Sequence, residues 1–386
     1  MTNWESKKMG LFSKKEKSNY YSLEKILSKN AQYNIIFGER SNGKTYAVLN
    51  YCLKNYFEKG EKFAIIRRYT TDVTPSKIRT FFSAFSLSED EGKPTLVQKY
   101  SGNSFEKIVT QSGYFYPAFY DEDVGRYIKS NDWCGIAMSL VDSEHYKSTS
   151  FPEVTTILFD EFITRQQYLQ DEFVVFMNIL STIIRDRKNV KIFMCGNTVN
   201  KYNPYFQEMG LKNAIKQAQG TIDIYTYGNS KLTVACEYCG ERKNKESNHY
   251  FAFDNPKLNM ITNGAWELDI YPHCPVKFDR ADISFTFFVI FGDKILQCDI
   301  VSHETGTFIF CHMKTTEIRE PENEVIYNLK RDNNPLHFQG LLPRDSRKIN
   351  KVILTLIMDR KIFFQDNDVG DIFYNFLKES QNVQLQ

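Results

Sequence analysis

Short apolar runs bounded by polar residues dominate the first part of the chain. Residues 33–37 form such a run, a glycine-containing segment follows, and residues 46–56 then carry apolar side chains at helical spacing. Residues 62–68 form the next apolar run. Runs of this length and composition are typical of buried strands. The order strand, loop, helix, strand predicts the opening of a parallel α/β sheet.

Two later apolar runs have the same character. Residues 155–159 end in Asp160 and Glu161, and residues 190–195 end in Gly196 and Asn197. Apolar residues recur at helical spacing between the two runs, over residues 172–187. The pattern therefore predicts two more buried parallel strands with a helix between them.

The pattern changes after about residue 230. Residues 236–248 are polar and charged, and the following segments alternate as strands do, at 284–291, 295–301 and 307–312. Residues 351–378 have helical spacing, with a predicted break at 366–370. These features predict a smaller α+β second domain. The boundaries that follow are a flexible tail at 1–24, an α/β domain at 25–235, a linker region at 236–265 and the second domain at 266–386.

Composition narrows the class of protein. The chain has 386 residues, 42% of them hydrophobic and 25% charged, which is ordinary for a globular protein. A net charge of +2 is not the overall basic signature of a static DNA-binding protein, but it permits a local basic stripe. No apolar run approaches the roughly 20 residues that span a bilayer, so no membrane partner is expected. Eight cysteines without a secretory signal indicate reduced thiols in a cytosol.

The segment from Gly38 to Thr45 matches the phosphate-binding pattern G-x-x-x-x-G-K-[ST] without a mismatch. Its glycines let backbone N–H groups turn toward phosphate oxygens, and the following helix adds its positive end. Lys44 is predicted to reach the β- and γ-phosphates and Thr45 to hold Mg²⁺, so ATP and Mg²⁺ are the expected cofactors. The residues predicted to bind nucleotide or metal are Gly38, Ser41, Asn42, Gly43, Lys44, Thr45 and Asp160.

Two carboxylates follow the predicted strand at 155–159. A P-loop enzyme needs a carboxylate at the tip of a neighbouring strand to hold Mg²⁺, and Asp160 suits that role. Glu161 is placed to take a proton from the attacking water as a general base. The alternative is a solvated acidic strand end. Both carboxylates together favour hydrolysis by an ATPase with an added catalytic strand over a kinase or a GTPase.

Polar residues elsewhere give weaker signals. Asn197 ends the next strand and is either a sensor of the γ-phosphate or a turn residue. Arg185 and Arg187 end the preceding helix, where they supply either an arginine finger or the cations that helix ends favour anyway. Lys147, taken alone, counts as a surface lysine. These residues therefore remain candidates on sequence grounds.

Arg67 and Arg68 end the second strand, near the expected nucleotide side. They can stack on adenine, contact DNA or lie exposed, and the sequence does not choose between these roles.

A single C-x-x-C pair, Cys236 and Cys239, allows a structural zinc site only if two further ligands are supplied. His249, or His273 with Cys274, are the available candidates at irregular spacing. Two plain thiols are the alternative that the pattern favours.

Taken together, these segments resemble the DNA-packaging (encapsidation) ATPases of small podophages with protein-primed genomes. The phosphate-binding segment and the strand-end carboxylates (the Walker A and Walker B motifs) are generic. The specific pieces are Asp-Glu-Phe-Ile from residue 160 and Asn-Pro-Tyr-Phe from residue 203, which occur in the same order and at similar spacing. The similar segments are 35–46, 63–69 with its Arg-Arg-Tyr, 147–163, 182–187 and 196–206.

The resemblance implies an ATPase with an additional strand and a catalytic glutamate that assembles as a homomeric ring, a pentamer, on a phage portal. It implies that double-stranded DNA is driven into a procapsid, with the protein in the host cytoplasm and transiently on the procapsid. It also implies that Arg185 acts in trans as the finger and that Lys147 acts across the same interface. A C-terminal domain with a vestigial RNase H-like nuclease fold is expected, although the match beyond residue 230 is weak.

Three alternatives remain from the residues themselves. A helicase or AAA-like ATPase would act on nucleic acid without a capsid, and a nucleotide-gated scaffold would bind ATP without turnover. A large terminase with a working nuclease would cleave DNA with a metal ion, but the second domain shows no compact Asp/Glu cluster that suggests a two-metal site.

Overall fold

Two β-sheets organise the part of the chain that the structure, a computed structural model, describes: residues 20–88, 93–147, 149–166, 168–240, 266, 271–274, 276–341 and 347–383. The helices are α1 (Glu24–Leu27), α2 (Lys44–Lys59), α3 (Pro75–Ile78), α4 (Leu96–Ser101), α5 (Ser143–Tyr146), α6 (Glu172–Ile184), α7 (Pro204–Glu208), α8 (Lys348–Met358) and α9 (Asn367–Val383). The first-sheet strands are β1 (Tyr33–Gly38), β2 (Lys62–Arg67), β3 (Lys107–Gln111), β4 (Tyr114–Asp121), β5 (Arg126–Lys129), β6 (Gly135–Ser139), β7 (Val154–Asp160), β8 (Lys191–Asn197), β9 (Ile222–Tyr227) and β10 (Leu232–Tyr238). The second-sheet strands are β11 (Ile283–Phe291), β12 (Lys294–His303), β13 (Gly306–Met313), β14 (Ile326–Asn328), β15 (His337–Gln339) and β16 (Ile362–Phe364).

The first sheet is mainly parallel, as the apolar runs predict. Its order is β3-β4-β6-β2-β7-β8-β1-β10-β9, and the strands from β6 to β10 in this order all pair in parallel. Strand β8 lies between β1 and β7. This is the predicted added strand between the P-loop strand and the strand that ends in Asp160. All these strands end at the same edge of the sheet, so the motifs that follow them meet there.

Burial on both faces explains the continuous apolar runs. Side chains alternate between the faces of a strand, so Ile35 and Phe37 of β1 join one buried cluster and Ile36 joins the other. Strand β7 divides in the same way, with Phe159 on one side and Leu158 on the other. A sheet covered on both faces has apolar residues at successive positions.

Antiparallel strands extend both edges of this sheet, and the sequence pattern does not predict them. Strands β3, β4 and β5 form a meander beyond β6, and β9 pairs with β10 at the other edge. Many of their side chains are only partly buried, and Tyr120 and Tyr127 are 44% and 39% exposed. Strands at a solvated edge mix polar and apolar residues and so lack the continuous apolar run of the central strands.

A close approach between β6 and β2 makes Gly135 structurally sensitive. A Cβ atom there would lie 2.1 Å from Cε2 of Phe63, which pairs with Gly135 in the neighbouring strand. We expect Gly135→Ala to lower the free energy of unfolding by about 1–3 kcal/mol, because the ring must leave its packed position. Thermal unfolding measures the effect. A partial recovery in the Gly135→Ala/Phe63→Leu double variant identifies the ring as the cause, and an unchanged melting temperature in Gly135→Ala contradicts it.

The second sheet has the order β15-β14-β11-β12-β13-β16. Strands β11, β12 and β13 are antiparallel, whereas β14 and β15 add in parallel on the other side of β11. Helices α8 and α9 cover one face, where Ile353 and Phe376 pack with Phe287 of β11. This α+β arrangement agrees with the RNase H-like second domain that the resemblance implies.

The helical prediction for residues 351–378 is partly wrong. Helix α8 ends at Met358, strand β16 follows at Ile362–Phe364, and α9 begins at Asn367, inside the predicted break at 366–370. The three residues of β16 pair with β13 in parallel. So short a strand is specified by its partner in the sheet rather than by its own sequence pattern.

Two predicted domain boundaries also shift. Strand β10 extends to Tyr238, so residues 236–238 belong to the first sheet and not to the linker region predicted at 236–265. Leu23, near the end of the predicted tail, is buried. Residues 1–19 of the tail and 241–265 of the linker lie outside the described residues. Within the described residues, no helix combines the length and apolarity needed to cross a membrane.

Candidate nucleotide-binding site

The phosphate-binding segment at residues 38–45, the P-loop, turns sharply between β1 and α2. Gly38, Ser41 and Gly43 have φ angles of 145°, 60° and 91°, a region that L side chains rarely adopt. Gly38 also lies against Cys239, the residue directly after β10, whose Cβ would be 3.1 Å from a Cβ added at Gly38. Helix α2 then begins at Lys44. The loop therefore has the backbone conformation that lets successive N–H groups converge on an anion.

Two tyrosines from the predicted tail lie on this loop, and the sequence analysis missed them. The backbone N–H of Tyr21 donates to the carbonyl of Asn42 at 2.9 Å, and its hydroxyl donates to Oε2 of Glu237 at 2.6 Å. A side chain at Gly43 would lie 3.3 Å from Cβ of Tyr20. The only sequence signal was the aromatic pair itself, near the end of the predicted tail.

Lys44 is held inside the loop by oxygen acceptors. Its Nζ donates to the carbonyl of Glu39 at 2.5 Å and to the side-chain oxygens of Asn42 and Asn197, each at 3.2 Å. Burial lowers the pKa of the Lys44 ammonium, and the nearby Cys239, Cys195, Asp160 and Glu39 oppose that shift. A phosphate is a stronger partner for a buried ammonium than a neutral oxygen, so the site favours a polyanionic ligand.

The magnesium donors predicted from the sequence lie together. Oγ1 of Thr45 donates to Oδ1 of Asp160 at 2.7 Å, and Asp160 is buried at the end of β7. A hydroxyl and a carboxylate are hard oxygen donors of the kind that Mg²⁺ prefers. A cationic group, the Arg67 guanidinium, already contacts the other oxygen of Asp160 at 2.6 Å. The residues present therefore fit a bound divalent cation.

Arg67 bridges the two carboxylates that the sequence assigns to catalysis. Its Nη1 donates to Asp160 and its Nη2 donates to Oε2 of Glu161 at 2.7 Å. The Glu161 side chain is otherwise 57% exposed, and its backbone has φ of 57°. In this arrangement Arg67 does not lie free, because both carboxylates hold its guanidinium. The general-base role predicted for Glu161 requires its carboxylate to leave Arg67 first.

Asn197 lies at the same edge of the sheet. It is the last residue of β8, and its Oδ1 accepts the hydrogen bond from Lys44 described above. The structure thus brings together five predicted site residues, namely Lys44, Thr45, Asp160, Glu161 and Asn197. A contact with the P-loop lysine suits a sensor, and that role stays a prediction.

Arg185 and Lys147 lie away from this group. Helix α6 begins at Glu172 near Glu161 and has 13 residues, so its far end, next to Arg185, lies about 20 Å away. Among the described residues, Nη2 of Arg185 reaches only the carbonyl of Thr149, at 3.5 Å, and Lys147 pairs with Glu144 at 2.6 Å. Both cations are exposed. They are placed near each other, on a part of the subunit that does not reach its own P-loop.

Arg187, the other arginine after α6, serves a different purpose. Its guanidinium donates to the carbonyls of Pro152 at 2.7 Å, Phe151 at 3.1 Å and Ile183 at 2.5 Å. These bonds satisfy carbonyls at the end of α6 and in the segment before β7. Arg187 is therefore a structural residue, which leaves Arg185 as the candidate finger.

The two cysteines of the C-x-x-C pair do not form a joint metal site. Cys236 packs in the buried cluster on one face of the first sheet and Cys239 packs in the cluster on the other face. Burial raises the pKa of the Cys239 thiol to about 12 and that of Cys236 further still. Among the described residues, no group of three or more His, Cys, Asp and Glu side chains is arranged to hold a metal ion. His249 lies outside them.

The segment after Asn197 contacts the second domain. Nδ2 of Asn200 donates to Oδ1 of Asn375 on α9 at 3.0 Å, and Lys201 lies 3.4 Å from Asp368 on the same helix. Tyr202 packs edge-to-face against Phe291 at 6.2 Å between ring centroids. A chain segment that starts at the predicted sensor therefore reaches the second domain within five residues.

The family model described as Podovirus DNA encapsidation protein (Gp16) matches residues 15–105 and 118–379. The chain belongs to this family. The match extends through both sheets, beyond the region of residues 35–206 on which the resemblance was based. The family named from the sequence motifs is therefore confirmed.

Individual relatives agree with this membership. The DNA packaging proteins of Bacillus phages PZA and phi29 are each 26% identical to the chain over 231 residues, which is 59% of this chain and 60% of each relative. The matched part of the chain thus spans less than two thirds of those relatives. A chain of the solved bacteriophage Phi-29 viral genome packaging motor assembly is similar with a TM-score of 0.56 at 18% identity, covering 94% of this chain and 100% of that one. This likeness confirms the fold.

Proposed function

We propose that this chain is the ATP-hydrolysing subunit of a viral DNA-packaging motor, which moves double-stranded DNA into a procapsid as a homomeric ring. The observation that carries the proposal is the arrangement of Lys44, Thr45, Asp160 and Glu161 at one sheet edge, with β8 inserted between β1 and β7. It occurs in a chain of the DNA encapsidation family. A pentamer bound to the portal, in the host cytoplasm and only transiently on the procapsid, belongs to the same proposal.

The P-loop binds the triphosphate of ATP. Lys44 exchanges its contacts with the Glu39 carbonyl and the Asn42 and Asn197 side chains for phosphate oxygens. Thr45 and Asp160 would hold Mg²⁺, which would neutralise charge that develops on the phosphates. Because the anion compensates the buried Lys44 ammonium, nucleotide binding and the charge of this lysine support each other.

Hydrolysis uses the neighbouring carboxylate. Once Arg67 releases it, Glu161 accepts a proton from a water molecule whose oxygen attacks the γ-phosphorus. The bond from that phosphorus to the bridging β,γ-oxygen breaks, and ADP and phosphate are the products. Asn197, in contact with Lys44, is placed to respond to the loss of the γ-phosphate.

The site is completed by a neighbouring subunit. Arg185 lies about 20 Å from the start of α6 and is exposed, so it suits a nucleotide held by another copy of the chain. An arginine supplied in trans stabilises charge on the transferred phosphoryl group. Lys147, which lies close to Thr149 in the chain and on the same part of the surface, acts across the same interface.

A packaging assay tests the proposal. Procapsids with portal, linear double-stranded DNA, Mg²⁺ and ATP are mixed with the purified chain, and DNA protected from added nuclease is measured. We expect protection that depends on the chain, on ATP and on the portal, and that falls as salt rises because the ring grips phosphates. Procapsids without portal are the control. Strand separation in the absence of procapsids would instead favour a helicase, and absence of protection would reject the packaging role.

A further inference from the structure

Three sequence motifs converge on one buried cluster beside Glu161. Arg68 comes from the Arg-Arg-Tyr segment and Tyr205 from the Asn-Pro-Tyr-Phe segment, and Phe162 belongs to Asp-Glu-Phe-Ile. The cluster is completed by Glu172, the first residue of α6. Its side chain is 0% exposed and that of Arg68 is 5% exposed. None of these residues has a role in the chemistry described above.

Arg68 connects Glu172 to the backbone of residues 161–162, which directly follow β7 and are called the catalytic loop below. Its Nε and Nη2 donate to the two carboxylate oxygens of Glu172 at 2.8 and 2.9 Å, a bidentate pair. Its Nη1 and Nη2 also donate to the carbonyls of Glu161 at 3.1 Å and Phe162 at 2.7 Å. The guanidinium therefore fixes the two carbonyls that directly follow β7.

Glu172 has further donors that hold it in place. The hydroxyl of Tyr205 donates to Oε1 at 2.7 Å, and the backbone N–H of Leu169 donates to Oε2 at 2.8 Å. Burial by itself lowers the pKa of the Arg68 guanidinium, but the hydrogen bonds and charge of Glu172 outweigh it and raise the pKa. The two side chains thus share two hydrogen bonds and each has further hydrogen-bond partners, the condition under which a buried ion pair is geometrically well defined.

The backbone at Glu161 needs such support. Its φ of 57° lies in the left-handed region, which a non-glycine residue adopts at a cost in free energy. From the amide side, the N–H of Phe162 donates to the carbonyl of Cys195 at 3.2 Å. From the carbonyl side, the support comes from Arg68. Without Arg68, the backbone from which the Glu161 side chain projects would no longer be held at the end of β7.

We infer that Arg68 and Glu172 are positioning residues for Glu161, and that their buried pair, braced by Tyr205, holds the catalytic loop in the conformation that turns over ATP. Arg67 and Arg68 thus have different roles. Arg67 contacts the carboxylates of Asp160 and Glu161, and Arg68 holds the Glu161 backbone. The inference rests on the proposed ATPase function.

Three conservative variants test it, each purified as the full chain: Arg68→Lys, Glu172→Gln and Tyr205→Phe. We expect kcat for ATP to fall about 10- to 100-fold in the first two, since a small displacement of a catalytic group costs that much. Tyr205→Phe, which loses one hydrogen bond and keeps its ring, falls less. The affinity for a fluorescent ATP analogue is expected to stay within about threefold, because the P-loop is untouched.

Lys62→Gln is the matched control. Lys62 lies at the opposite end of β2, its side chain is also 5% exposed, and it pairs with Asp132 at 2.7 Å and Glu153 at 2.6 Å. We expect this variant to lose thermal stability while kcat stays near the wild-type value. A purely structural role for Arg68 predicts that its variants behave as this control does.

The outcomes separate the inference from the function on which it rests. If the wild type hydrolyses ATP and Arg68→Lys and Glu172→Gln match the control in kcat, the positioning role is overturned and the ATPase stands. If the wild-type chain, assembled with DNA and portal, does not hydrolyse ATP, the proposed function itself fails. Should Arg68→Lys not fold, Glu172→Gln and Tyr205→Phe decide by the same comparison.

Discussion

Replacing Glu161 by Gln is expected to leave ATP binding intact and to lower ATP turnover by about 10²- to 10⁴-fold, the usual contribution of a general base. An amide cannot take a proton from the attacking water, which is why turnover is lost. It keeps the size of the side chain and an oxygen that can accept the bond from Nη2 of Arg67. The P-loop contacts of Lys44 and Thr45 are unaffected, so nucleotide still binds.

Phosphate release and the binding of a fluorescent ATP analogue measure the two halves of this prediction. The matched control is Glu58→Gln, which alters an exposed glutamate that pairs with Lys54 on α2, the helix that follows the P-loop. It is expected to behave as the wild type does in both assays. Unchanged turnover in Glu161→Gln would remove Glu161 from the mechanism and with it the assignment of the strand end as the catalytic edge.

Replacing Arg185 by Ala is expected to reduce turnover by about 10³- to 10⁵-fold, the range found for arginine fingers, without loss of folding. Its side chain is exposed and, in the part of the chain that the structure describes, makes one long contact, with the carbonyl of Thr149. Lys44→Ala is expected to be inactive for a different reason, because it loses the phosphate contact. Each variant alone forms a ring in which every site is defective.

Mixing the two variants tests whether Arg185 acts in trans. Where an Arg185→Ala subunit supplies the P-loop and a Lys44→Ala subunit supplies the finger, the interface contains both side chains and regains activity. If Arg185 acted within its own subunit, no mixture would recover turnover. Arg187→Ala is the control, since it breaks four hydrogen bonds to backbone carbonyls of the chain itself and is expected to lower the melting temperature instead.

The predictions for Glu161 and Arg185 depend on structural features, and the sequence alone reveals some of these features but not others. The P-loop and Glu161 follow directly from short segments whose spacing is fixed by local geometry. A glycine-containing loop between a strand and a helix is determined within about a dozen residues, and so is a carboxylate that follows a strand. The sequence therefore determined the strands β1, β2, β7 and β8, the P-loop residues and the two carboxylates.

The sequence pattern does not predict the strands at the sheet edges or the short strand β16. The partly exposed meander of β3, β4 and β5 has no continuous apolar run, and the three residues of β16 depend on β13 for their pairing. The two tyrosines at the end of the predicted tail were missed because their partner, the P-loop backbone, is distant in the chain. Each of these elements is stabilised by a neighbour and not by its own pattern.

Only the tertiary structure distinguishes the roles of arginines that are neighbours in the sequence. Arg67 and Arg68 are adjacent, yet the first meets Asp160, 93 positions along the chain, and the second meets Glu172, 104 positions along it. Arg185 and Arg187 differ in the same way, because the side chain of Arg185 is exposed and that of Arg187 is hydrogen-bonded to backbone carbonyls. A long cationic side chain takes its role from the segment that the fold places opposite it. The sequence by itself therefore determined where the phosphate site lies and which reaction its residue types favour, and the packing of distant segments decided which arginine serves it and how.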